Sequence, residues 1–136
     1  MQSYLHVFPL HSQSPSAHVL RLGQATCLLA GVPKADLDFA LRLANLSAGS
    51  RQRHLLLHHD EHGVADGFLL WAYLTPVARA RLALRSAAPV QPDEWNEGGN
   101  LVVLDMVGRP AVRRAMLVEL AQQQGYERDA ISVIAT

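Results

Sequence analysis

Residues 100–136, "NLVVLDMVGRPAVRRAMLVELAQQQGYERDAISVIAT", constrain the fold more than any other part of the chain. They open on a near-continuous apolar run, Leu101 to Val107, interrupted only by Asp105. Pro110 then opens an amphipathic helix with Val112, Met116, Leu117 and Leu120 apolar, and Gly125 stops it. "AISVIAT" reads as a final strand. Strand, helix, strand in that order is a crossover, which lays its two strands side by side and parallel.

The preceding residues fill in the rest of one α+β domain. Residues 1–15, with their serines, prolines and histidines, read as an N-terminal arm, and 16–136 as a single domain. From Ser16, the residues Val19, Leu20, Leu22, Thr26, Cys27, Leu29 and Ala30 fall at helical spacing, with Gly31 as a stop. That pattern places Cys27 in the core, as a buried and inert thiol. A second helix opens at Pro33, carries Leu37, Leu41, Leu43 and Leu46, and closes at Gly49 and Ser50. "RHLLLHH" and "GFLLWAYL" read as two strands of an antiparallel hairpin joined by "DEHGVAD". Thr75 and Pro76 are an N-cap and first-turn pair, opening a helix through about Arg85. "SAAPVQPDEWNEGG" is a loop. Trp71 is expected as a core residue and Trp95 as a loop anchor. The expected order is ααββαβαβ, with a small mixed sheet and flanking helices.

Composition excludes several roles. Formal net charge is zero and the eleven arginines are scattered, so nucleic acid is not an expected partner. The single cysteine, Cys27, rules out an intramolecular disulfide and suits a reducing cytoplasm. No apolar stretch approaches the roughly 20 residues of a membrane span. The first residues lack the basic segment and long apolar core of a signal peptide, so a cytoplasmic protein is expected. Eleven arginines against one lysine, Lys34, with many alanines, point to a GC-rich bacterial coding sequence.

Four groups of residues could carry chemistry. "VGRPAVRR" sits where a strand gives way to a helix, and free N–H groups there, with Arg109 and Arg113 one turn apart, suit an anion. A tight turn with surface arginines is the plainer reading of the same residues. His54, His58, His59 and His62 offer metal-like spacing, His54 and His58 on one strand face. No cysteine or distant ligand completes a closed site, so a solvated turn is expected and no metal. His11 is a lone histidine in the arm. Asp105 either caps backbone N–H groups at a bulge or sheet edge, or orients a histidine acting as general base.

From about Leu22 onward the chain resembles the RTX toxin-activating lysine acyltransferases, the hemolysin C type. The resemblance is carried by "LLWAYLT", then "PDEWNEGGNLVVLDMVGRP", the helix "AVRRAMLVELAQQQG" and the strand "AISVIAT", with "LGQATCLLAG" similar to the family's first helix. It implies a GNAT-like fold, no bound cofactor, and transfer of a fatty acyl group from acyl carrier protein to a lysine of an RTX-type protein. It also implies a homodimer and a catalytic aspartate at Asp105. The carrier protein or its phosphopantetheine would approach Val107, Gly108, Arg109 and Arg113. The family's catalytic histidine follows the first helix in a Pro-Leu-His context; here that position is Ala35, and "PLH" occurs earlier, ending at His11. His11 is therefore the candidate base. His54 or His58 could substitute for it, and the alternative is a catalytically silent GNAT-like binding or adaptor module. A small-molecule acetyltransferase using acetyl-coenzyme A is disfavoured by the poor glycine content of "VGRPAV". The partner of Asp105 in the fold discriminates: an imidazole supports a catalytic dyad, whereas a lysine or arginine removes the base.

Overall fold

A computed structural model describes residues 15–33, 36–84 and 88–134. Its helices are α1 (Pro15–Ala30), α2 (Asp36–Arg51), α3 (Pro76–Leu82) and α4 (Pro110–Gln124). Its strands are β1 (Leu55–His59), β2 (Ala65–Leu74), β3 (Asn100–Val107) and β4 (Ser132–Val133), with a 3-10 turn at Arg128–Ala130. The boundaries follow local chemistry. Thr75 accepts a hydrogen bond from the Ala78 N–H at 3.1 Å and Pro76 takes the first position of α3. Gly125, at φ 71°, ends α4 in the left-handed conformation that a side chain resists.

The sheet runs β1-β2-β3-β4, antiparallel across the first two pairs and parallel across β3 and β4. This is the expected α+β class, a mixed sheet flanked by helices, and it is compatible with a GNAT-like architecture. One sheet face packs Leu57, Phe68, Leu70 and Ala72 against Ala25 and Leu29 of α1 and Leu46 of α2. The other packs Leu56, Leu69, Trp71 and Val103 against Val112, Met116 and Leu120 of α4. Burying each large apolar side chain in these layers contributes about 1.5–3 kcal/mol.

One irregularity positions the site. Leu70 pairs with Asp105 and Trp71 with Val103, so Leu104 is an extra residue bulged out of the ladder. The bulge resets the alternation. Leu104 and Val107 pack with the α1–α2 layer and Met106 with the α4 layer, and Asp105 is turned towards α2.

Several sequence expectations need correction. Gly49 lies inside α2, which runs on to Arg51; a Cβ there would sit 2.4 Å from Leu70 Cδ1 and 2.9 Å from Trp95 Cη2. The glycine therefore serves close packing, not helix termination. Helix α2 starts at Asp36 and not at Pro33, and α3 ends at Leu82. Cys27 is exposed, because the buried face of α1 runs through Ala25 and Leu29. The final strand pairs with β3 only at Ser132 and Val133. The arm lies outside the described residues except for Pro15, which opens α1.

Candidate functional site

Asp105 is held by three donors. Arg42, from the middle of α2, donates from Nε to Oδ2 at 2.9 Å and from Nη2 to Oδ1 at 2.8 Å. The Met106 N–H donates to Oδ1 at 2.8 Å. The Asp105 side chain is 9% exposed and that of Arg42 25%. A two-pronged arginine–carboxylate pair is the strong form of this interaction, and here it ties α2 to the bulged strand. Among the described residues no imidazole bonds to Asp105; its side-chain partner is an arginine. His11 and Ala35 lie outside the described residues.

Beyond Asp105 the strand ends in a tight turn. Gly108 has φ +149°, and a Cβ on it would lie 3.1 Å from Val112 Cγ1 and 3.5 Å from the Asp66 carbonyl oxygen. Arg109 is the N-cap of α4 but makes no side-chain capping bond, and Pro110 follows it at the first position. The helix start therefore retains backbone N–H groups that its own turn does not use. The Arg109 side chain is 75% exposed. Arg113 sits one turn on and half-buried, its N–H bonded to the Arg109 carbonyl at 2.9 Å. The structure thus brings Val107, Gly108, Arg109 and Arg113 together, while Asp105 looks away from them into the α2 layer. Beside this turn, β4 pairs with β3 only at Val102 and Val103. The edge of β3 from Asp105 to Val107 has no strand neighbour on that side among the described residues.

The histidines divide. His62 and His59 are exposed near the hairpin tip, and among the described residues no three of His, Cys, Asp or Glu converge as a metal site. His54 is buried, its ring stacked on Trp71 at 5.2 Å and edge-on to Trp95 at 5.9 Å. Its Nδ1–H donates to the Trp71 carbonyl at 3.1 Å. Burial pushes the His54 pKa down against opposing hydrogen bonds to Trp71 and Asn96, so this imidazole is a neutral core group.

His58 is not simply part of a solvated turn. Its Nδ1 lies 2.6 Å from Asp66 Oδ1, the two side chains being 29% and 20% exposed. A second bulge makes the contact: His58 pairs with Gly67 and His59 with Ala65, which leaves Asp66 as the extra residue. Asp66 Oδ2 lies 3.9 Å from Arg109 Nη2. A Cβ on Gly67 would lie 2.6 Å from Val112 Cγ1 and 2.9 Å from the Val107 carbonyl oxygen, so the glycine lets α4 start directly over the hairpin. His58, Asp66, Gly108 and Arg109 consequently share one end of the sheet. The sequence signal for this pair was a carboxylate eight residues on in the returning strand. A separate groove of about 420 Å³ lies between α1 and the end of α2, lined by His18, Val19, Leu22, Ser50, Arg51 and Arg53. It is at the start of β1, the opposite end of that strand from the hairpin.

Compared with known proteins, the chain matches no protein-family model and no curated sequence.

Proposed function

We propose that this chain is an acyl-carrier docking domain of the toxin-activating acyltransferase type, in which Asp105 is a structural residue. The resemblance read in the sequence motivates the family. The observation that carries the reading is the β3–α4 turn, where a strand edge that has no strand neighbour among the described residues runs into a glycine turn, a helix start without a side-chain cap, and Arg109. A phosphopantetheine arm has matching chemistry. Its two amides can pair with a strand edge, and its phosphate suits a helix N-terminus and arginine. Arg109 and Arg113 then face the acidic surface of the carrier protein. The reaction served by such docking is transfer of a fatty acyl group to a lysine of an RTX-type protein.

The Arg42 clamp favours docking over catalysis by Asp105. Among the described residues no imidazole bonds to this carboxylate, whose oxygens are engaged by a guanidinium and a backbone N–H. The test is fluorescence anisotropy with labelled carrier protein, in its phosphopantetheine-bearing and bare forms. The bearing form should bind more tightly and lose affinity as salt is raised. Arg109→Ala/Arg113→Ala should weaken binding by about tenfold, ~1.4 kcal/mol. Unchanged affinity in that double variant removes the site from the turn. Absence of binding by the unaltered protein removes the function.

A further inference from the structure

We infer that His58 and Asp66 form a proton-accepting dyad beside the docking turn, and that this pair, not Asp105, supplies the base for acyl transfer to an amine. The inference rests on the docking reading above for its donor and goes beyond it in assigning chemistry. A carboxylate oxygen only accepts hydrogen bonds, so the 2.6 Å contact fixes the proton on His58 Nδ1. In the neutral ring, Nε2 then carries the lone pair. Among the described residues no hydrogen bond engages Nε2, and the side chain is 29% exposed. This is the orientation a general base needs, with the carboxylate on the far nitrogen holding tautomer and ring in place.

Three features separate the pair from an ordinary surface contact. Asp66 is placed by a bulge whose effect is to bring its carboxylate back under His58. Arg109, a proposed carrier contact, lies 3.9 Å from the other carboxylate oxygen, so the dyad and the docking turn are in direct register. Gly67 and Gly108 let hairpin and turn pack directly against each other, which keeps Arg109 close to Asp66.

The step balances without a further reactant. The acceptor ammonium releases one proton to solvent, and the resulting amine attacks the thioester carbonyl carbon. A C–N bond forms as His58 Nε2 takes the second proton, and the carbonyl becomes an oxyanion. Collapse breaks the C–S bond, and the imidazolium returns its proton to the departing thiolate. The products are an amide and the free carrier thiol. His58 is the catalytic residue here and Asp66 a positioning residue.

The full chain is incubated with myristoyl-loaded carrier protein and a synthetic peptide bearing one lysine. Thiol release and peptide mass are followed, and carrier affinity is measured separately by anisotropy. The unaltered protein should release thiol in a peptide-dependent way and add one acyl mass. His58→Gln should lose about 100-fold or more in rate, the contribution typical of a positioned base, with carrier affinity unchanged. Asp66→Asn should lower kcat without raising KM for the carrier, and Asp66→Glu should restore part of the loss. His62→Gln, at the exposed hairpin tip, should behave as the unaltered chain. A His58→Gln protein that melts normally and transfers at the original rate overturns the dyad. So does an unaltered protein that binds carrier yet transfers nothing, a result that leaves docking intact. Failure to bind carrier overturns the docking reading and the dyad with it.

Discussion

Removing one partner of the Arg42–Asp105 pair breaks a two-pronged ion pair in a largely buried site, and the cost can be bounded. Breaking a fully buried pair costs about 3–5 kcal/mol, whereas exposed pairs contribute about 0–1 kcal/mol. Asp105 is 9% exposed and Arg42 25%, with two hydrogen bonds between them, so the pair lies nearer the buried limit. Asp105→Ala, which also orphans the Met106 N–H, should cost about 3 kcal/mol. For a chain of this size that is a drop in Tm of about 10 °C. Arg42→Met should cost a similar amount by leaving the carboxylate with one backbone donor. The double variant Arg42→Met/Asp105→Leu removes both charges together and should recover much of the loss, a coupling of about 1–3 kcal/mol. Urea unfolding of the four proteins at neutral pH measures all of this. The reasoning is refuted if Asp105→Ala costs under about 1 kcal/mol, or if the double variant is as unstable as the sum of the singles. An Asp105→Asn protein that keeps its stability but loses acyl transfer would return that carboxylate to catalysis.

Gly49→Ala should lose about 1–3 kcal/mol by urea unfolding, because its Cβ would press on the buried Leu70 and Trp95; a neutral result would mean that α2 can shift away. His54 has a folded pKa below its unfolded value, so the unfolded chain binds its proton first on acidification. Stability should therefore be present above about pH 6.5 and fall as pH drops below it, and His54→Leu should flatten that slope if it folds. Cys27 is exposed on α1, so a maleimide should label the native protein rapidly and without lowering its Tm; labelling only in urea would put the thiol back in the core.

Element types were legible because punctuation and periodicity agreed locally. Thr75–Pro76, Pro110 and Gly125 mark real helix ends, and the strand–helix–strand order of the last 37 residues yields the parallel β3–β4 pair. What failed depended on packing and register that no local pattern carries. Gly49 looks like a stop until Leu70 and Trp95 are seen against it. Cys27 fits an apolar pattern, but α1 buries a neighbouring stripe. The bulge at Leu104 is invisible in an unbroken apolar run, although it decides which face Asp105 joins. Arg42 lies 63 residues from Asp105, so no spacing rule connects them. His58 and Asp66 are only eight residues apart, yet without the hairpin bulge they read as separate loop residues.

The most direct test of the central claim is an NMR titration of the 15N-labelled chain with phosphopantetheine-bearing acyl carrier protein. The docking reading predicts amide shifts concentrated from Asp105 to Arg113, reaching Asp66 and Gly67 in the hairpin and leaving α1 unperturbed. Shifts confined to the groove of His18, Leu22, Arg51 and Arg53, or no shifts at all, would contradict it.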